Sequence, residues 1–219
     1  MAAFDSAFVT GAGGFIGRHL VAALRQENVR VVALMLPGEA VPAEWGDAVR
    51  TVTGDIRSLL ELKDDIGQVD VVFHLAAVVS DWGAQDEHVA ITVGGTEQAI
   101  ELALAWDAHF IVTTSVCAYA SNLASGDITE ETPIGSVSSP YEFCKQEQER
   151  VTRKAVGIHR LQASIVRPGN VYGVGSGPWV NTMLDMLRSR SPSLIGKGDW
   201  DAGLCHVRNL VALMLLLPG

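Results

Sequence analysis

The sequence predicts an α/β fold in which a doubly wound parallel sheet is covered by helices on both faces. Three observations predict it. Short apolar, β-branched runs alternate with helical stretches from the start, and strands that are apolar throughout belong to sheets buried on both faces. Six such runs fall within the first 167 residues, which suits a doubly wound sheet in size and order. The first run ends in a glycine-rich turn that opens a helix, a junction suited to binding anions.

Residues 7–10 read as the first strand, 15–26 as an amphipathic helix, and 29–35 and 49–53 as the next two strands. A short polar helix is expected over 58–64 with Ser58 as its N-cap. A strand at 69–74, a helix at about 87–106 and a strand at 110–114 follow. A loop with Gly126, Pro133, Gly135 and Pro140 then leads to a helix at 141–155 and a strand at 161–167. Beyond Pro168 come a Gly-rich loop, a helix near 179–190, a short strand at 204–207 and a purely apolar stretch at 210–217. The expected division is a sheet domain over 1–172 and the start of a second, incomplete lobe over 173–219. A helix as apolar as 210–217 is expected to pack on something that follows it.

A chain of 219 residues can bury a substantial core, and 48% hydrophobic against 19% charged residues excludes a disordered chain. Sixteen basic and 25 acidic residues give a net charge of −9, which repels phosphate backbones, so no nucleic-acid partner is expected. Cys117, Cys144 and Cys205 are an odd, widely spaced set; they read as reduced thiols of a cytoplasmic protein. With no basic leader and no apolar run of bilayer length, neither export nor a membrane partner is expected.

Three sets of residues carry chemistry. Gly11, Gly14 and Gly17 have the spacing G-x-x-G-x-x-G between a strand and a helix. Gly11 permits a tight turn, Gly14 lets backbone approach a pyrophosphate, and Gly17 lets the helix pack closely on the sheet. A tight turn without a ligand is the alternative. Tyr141 and Lys145 share a helix face at i and i+4. There the ammonium, joined by a positively charged nicotinamide, would favour the phenolate of a general base whose ordinary pKa is about 10. Taken alone, a solvated helix face explains this pair as well. Ser115 ends the fifth strand, at the sheet edge where ligands bind, and its hydroxyl can bond a substrate oxygen or cap the strand end. The three sets follow the order a hydride-transfer site needs.

With residues 10–17 (TGAGGFIG), 54–56 (GDI), 74–77 (HLAA), the Ser115-x-x-x-Tyr119 ending, 141–145 (YEFCK) and 167–173 (RPGNVYG), the sequence resembles the extended short-chain dehydrogenase/reductase superfamily. Within it, the resemblance is to the NAD(P)-dependent epimerase/dehydratase family of nucleotide-sugar epimerase type, over nearly the whole chain. It implies a Rossmann-type sheet with a C-terminal substrate lobe. It also implies that Tyr141 is the base, that Lys145 lowers its pKa and holds the nicotinamide ribose, and that Ser115 positions substrate. Gly11, Gly14, Phe15, Ile16 and Gly17 would hold the cofactor. Asp55 would bond the adenine amine, with Ile56 on the ring. Leu75, Ala76 and Ala77 would line the cofactor cleft, Pro168 to Val171 would approach the nicotinamide, and Asn170 would reach toward substrate. The implied activity is hydride transfer at a carbon bearing a hydroxyl or ketone, with a nucleotide sugar ahead as the small-molecule partner. A ketone reductase of hydroxysteroid or dihydroflavonol type, and a cofactor-binding scaffold without turnover, are the alternatives.

Several positions depart from the family pattern. Met35 stands where NAD-using members end the second strand in an acidic residue, and Leu36 where some NADP-using relatives place arginine, so NAD against NADP stays open. Thr92 replaces the asparagine of the family's V-N-V-x-G-T run. Ser115-Val116-Cys117 replaces the Thr-Asp-Glu triplet of sugar 4,6-dehydratases, so water elimination is not expected. Cys117 matches the cysteine of GDP-fucose-synthase-type epimerase/reductases. Residues 174–181 hold no histidine to pair with it, and it reads as a small packing residue. His74 reads as structural, and no residues have metal-ligand spacing. The loop 78–83, with Trp82, is expected to face substrate. The apolar stretch 99–106 leaves a homodimer through the 87–106 and 141–155 helices open.

Overall fold

The computed structural model describes residues 3–124, 126–193, 196–199 and 201–218. Trp200, within the expected second lobe, lies outside them. The centre is an all-parallel sheet of β1 (Ser6–Thr10), β2 (Arg30–Met35), β3 (Val49–Thr53), β4 (Val71–His74), β5 (His109–Thr113) and β6 (Ala163–Val166). Their order across the sheet is β3-β2-β1-β4-β5-β6. Strand order therefore reverses beside β1, where it pairs with both β2 and β4, and a crevice opens at the C-terminal ends of these strands. Phe8 sits opposite Val32 and Val72, and all three are fully buried. Ala7 and Val9 are buried on the opposite face, so β1 is apolar on both of its faces.

The helices are α1 (Phe15–Gln26), α2 (Lys63–Ile66), α3 (Gln85–His88), α4 (Gly95–Trp106), α5 (Pro140–His159), α6 (Thr182–Arg188) and α7 (Val207–Leu216). Two apolar cores lie on the two faces of the sheet. One joins Phe8, Val72 and Phe110 to Ile100, Leu102 and Trp106 of α4 and Val151 and Ala155 of α5. The other joins Val9, Val31 and Phe73 to Leu20, Val21 and Leu24 of α1 and to α7. Ala99, Ile100, Leu102, Ala103 and Trp106 are all buried within this chain, so the apolar character of 99–106 is already accounted for inside the fold.

Three expectations are corrected, and for the last helix the structure adds a partner. The cap after β3 is Asp55, whose carboxylate accepts from Arg57 N at 2.8 Å. A 3-10 turn over Ile56–Leu62 then runs into α2, with Ser58 inside the turn. The charged acceptor three residues earlier reaches a free N–H first. Next, α3 passes into α4 through a π-turn over Val89–Gly94. There Thr92 takes up the bracing contact with its hydroxyl, which accepts from Val78 N at 3.0 Å.

Beyond β6, Asn170–Tyr172 is a strand (β7) rather than loop, paired in parallel with β8 (Leu204–His206). Its partner lies far along the chain, so local pattern does not reveal it. Last, the apolar stretch of α7 packs back on α1 and the sheet, burying Val207, Leu210, Val211 and Met214. Each such side chain contributes roughly 1.5–3 kcal/mol. The partner of this face is α1, which precedes it, while Leu213 and Leu216 on α7 are exposed.

Candidate active site

The turn after β1 is built around glycines. Gly11 has φ +66°, and a Cβ there would stand 2.9 Å from Ala76 N, so a side chain fits neither the conformation nor the space. Gly14 N donates to Gly11 O at 3.1 Å and closes the turn. A Cβ on Gly17 would stand 2.2 Å from Gly11 O, so α1 starts directly against the turn. Gly14 gives α1 no side-chain cap, and the first N–H groups of a helix lack partners within it. An anion at that end would find both free donors and the positive end of the helix dipole.

Across the crevice, α5 is started by Ser139, whose Oγ accepts from Glu142 N at 3.2 Å, with Pro140 in the first turn. Tyr141 follows at once. Behind it, Glu149 is buried and holds Arg167 through both carboxylate oxygens, one of them accepting from Arg167 Nε at 2.6 Å. The same carboxylate accepts from Thr114 Oγ1 at 3.0 Å. Arg167 also donates to Tyr119 OH at 2.6 Å. This network pins α5 to the ends of β5 and β6. The paired carboxylate raises the Arg167 guanidinium above its ordinary pKa.

Lys145 is 3% exposed, and its Nζ donates to Gln148 Oε1 at 2.8 Å and to Thr113 O at 3.3 Å. Gln148 Nε2 donates to Thr96 Oγ1 at 2.8 Å, and Thr96 donates to Thr92 O at 2.6 Å. His74 meets Thr96 Oγ1 through Nε2 at 3.0 Å and Thr10 Oγ1 through Nδ1 at 2.9 Å. Thr10 Oγ1 already accepts from Leu75 N and Ala76 N, so its own proton goes to His74 Nδ1. The His74 proton must then sit on Nε2, by the logic of the network. A second proton would find no acceptor. Burial, with the Lys145 charge behind it, lowers His74 to about 3. Burial also lowers Lys145 to about 8.

Lys145 Nζ lies 5.5 Å from the centre of the Tyr141 ring. The phenol is nevertheless held above its ordinary value. Burial is the main cause, opposed by a hydrogen bond from Ser115 and reinforced by Cys117 and Asp81. The Lys145 ammonium is engaged with Thr113 and Gln148, and desolvation of the phenol sets the direction; the expected lowering is that of the Tyr141–Lys145 pair joined by a charged nicotinamide. Ser115 Oγ also accepts from Cys117 N at 3.1 Å, which starts the 3-10 turn over Val116–Asn122.

These parts face one cavity of about 740 Å³. Gly11, Gly14, Phe15, Ile16 and Gly17 line it, as do Ile56, Leu75, Ala76, Ala77, Ser115, Tyr141, Lys145, Pro168, Asn170 and Val171. Asp55 does not line it. Its two oxygens are taken by Arg57, at 2.9 Å from Nε and 2.5 Å from Nη2, and this pairing holds its carboxyl below the usual range. Asn170 lines the cavity with its amide committed to Ala202 O at 2.6 Å. In the loop 78–83, Val79, Ser80 and Asp81 line the cavity while Trp82 is exposed.

Cys117 also lines the cavity and is only partly buried, which corrects its reading as a packing residue. It follows Ser115 on a turn at the sheet edge, not in a strand. Residues missed in the sequence include Glu39, Thr113 and Trp179. Thr113 Oγ1 is buried without a hydrogen-bond partner. An orphaned hydroxyl at one end and an uncapped helix start at the other leave polar groups that a dinucleotide would satisfy, and the residues present fit one.

Residues 7–218 match the model of the NAD dependent epimerase/dehydratase family. The chain is 28% identical over 214 residues to the 4-hydroxy-2-methyl-3-oxo-4-farnesyl-3,4-dihydroquinoline-1-oxide ketoreductase of Stigmatella aurantiaca, covering 95% of this chain and 63% of that protein. It is 27% identical over 223 residues to a putative UDP-glucose 4-epimerase of Methanocaldococcus jannaschii, covering 95% and 72% respectively. Among solved structures, MoeE5 in complex with UDP-glucuronic acid and NAD is similar at a TM-score of 0.81 and 27% identity, over 97% of this chain and 71% of that one. The chain thus spans less than two thirds of the length of the Stigmatella relative. The family match runs from β1 through α7 and takes in every element around the cavity; the chain belongs to the NAD dependent epimerase/dehydratase family.

Proposed function

We propose that this chain carries the cofactor-binding and catalytic residues of an NAD(P)-dependent oxidoreductase acting at a carbon that bears a hydroxyl or a ketone. The convergence of Ser115, Tyr141 and Lys145 on the cavity that also holds the glycine turn carries this reading. A nicotinamide held by the glycine turn and the cavity wall would supply or accept the hydride. Tyr141 moves the proton at the substrate oxygen. Burial keeps its phenol protonated at neutral pH, so it is set to give that proton to a carbonyl. Ser115 donates to the same region and orients the oxygen. Lys145, still cationic below about pH 8, stabilises the phenolate that proton transfer leaves behind.

Two substrate classes suit this chemistry. A nucleotide sugar is supported by similarity to MoeE5, described in complexes with UDP-glucuronic acid and with UDP-glucose. An apolar ketone is supported by similarity to the Stigmatella ketoreductase and by the cavity wall. Val79, 78% exposed, and Trp179 line that wall beside Asp81, whose charge opposes a diphosphate. Turnover of both classes with NADH and NADPH separates them. In either case Tyr141→Phe should lower kcat by about a hundredfold or more, the range of acid–base catalysis, while cofactor affinity by fluorescence titration stays unchanged. Full activity in this variant would remove Tyr141 from the chemistry.

A further inference from the structure

Glu39 stands in the turn after β2, where Gly38 at φ +81° reverses the chain. Its Oε2 accepts from Leu36 N at 3.1 Å, and its own N donates to Leu36 O at 3.0 Å. The other oxygen, Oε1, lies 1.9 Å from where a Cβ on Gly13 would be. The carboxylate is thus folded back over the glycine turn, and it lines the cavity.

The ends of the cavity order the parts of a dinucleotide. The reacting ring has to lie beside Tyr141 and Ser115. The pyrophosphate suits the glycine turn and the uncapped start of α1. The adenosine half then continues over β2, toward Leu34, Leu36 and Ile56, which line the remaining end. The ribose that joins pyrophosphate to adenine passes Gly13, beside Glu39.

Resting on the cofactor reading above, we propose that Glu39 selects NAD(H) over NADP(H). A carboxylate accepts two hydrogen bonds from the vicinal 2′- and 3′-hydroxyls of an unphosphorylated ribose. A 2′-phosphate would instead bring about 1.5–2 further negative charges against it. Neither Met35 nor Leu36, at the strand end itself, carries charge; the charged group arrives from the turn beyond. The cation fixed at the same glycine turn is Arg18, whose Nε donates to Gly13 O at 2.9 Å. It is the competing candidate, since a guanidinium there could pair with a 2′-phosphate.

Calorimetric titration of the 219-residue chain with NADH and NADPH, without turnover, tests this. NADH should bind about tenfold or more tightly than NADPH, as expected for one like-charge contact. Glu39→Gln should bring the two within about threefold, weakening NADH and strengthening NADPH. Arg18→Ala should leave the ratio unchanged. Glu39 is exposed, so Glu39→Gln is expected to melt like the parent, which a thermal transition checks. Preference for NADPH, a ratio unmoved by Glu39→Gln, or a selective loss of NADPH affinity in Arg18→Ala would each overturn the assignment. If neither nucleotide binds to protein with a normal melt, the cofactor reading itself falls with it.

Discussion

Gly17 is crowded by backbone, not by side chains that could turn aside. A Cβ there would meet Gly11 O at 2.2 Å and Ala12 Cα at 2.7 Å. Gly17→Ala should therefore push α1 off the turn, costing about 1–3 kcal/mol as overpacking does and weakening cofactor binding; denaturant titration and nucleotide titration measure the two effects. The glycines were legible in the sequence because their reason is local: strand, turn and helix lie within a dozen residues. Asp55 stands outside the cavity lining, with both oxygens engaged by Arg57 only two residues away. Glu39 was invisible because its reason is not local. Its approach to Gly13 depends on the reversal at Gly38 and on β2 lying next to β1.

Among the elements, α5 bears the heaviest load. Its 20 residues hold Tyr141 near the cap, Lys145 one turn in, and Glu149 one turn further on, each joined to a different neighbour. Spacing in the sequence shows that Tyr141 and Lys145 share a face. It does not show that Gln148 turns inward, because its partner Thr96 comes from α4. Gln148→Leu should leave Lys145 with Thr113 O as its described acceptor and cost about 1.5–3 kcal/mol, the usual range for a hydrogen bond to a charged group. It should also depress the Lys145 pKa further below about 8, moving the alkaline limb of activity to lower pH. Gln148→Glu should move that limb upward. A pH–rate profile that stays put in both variants would show that Gln148 serves packing alone.

Across the whole molecule, the chain of side chains from Thr10 through His74, Thr96 and Gln148 to Lys145 ties the glycine turn to the catalytic helix through the middle of the fold. It also sets a response to acid. His74 has a folded pKa of about 3 against an ordinary 6.5, so between these values the unfolded chain binds more protons. Its contribution to stability is complete above about pH 6.5 and is lost as pH falls toward 3, at about 1.4 kcal/mol per pH unit. Denaturant midpoints at pH 7 and pH 5 should differ accordingly, and His74→Gln should flatten the difference while lowering stability at pH 7. Apolar runs revealed the inner strands in advance, because strands buried on both faces have no polar side to blur them; at the edge, β3 exposes Arg50, Thr51 and Thr53 and was legible through its β-branched residues. The return of α7 onto α1 was not foreseen, since an apolar helix does not say which surface it covers.

The pairing of β7 with β8 has a consequence for diversification. Asn170 and Leu204 clasp each other in this small ladder, so the chain leaves after Tyr172 and comes back at Leu204 at one spot on the rim. Ser176, Pro178 and Trp179 within that excursion line the cavity, while the glycine turn, Glu39 and α5 all precede it in the chain. Such a cassette can be lengthened or rewritten without disturbing the nucleotide cradle, and one engine can then be fitted to new small molecules.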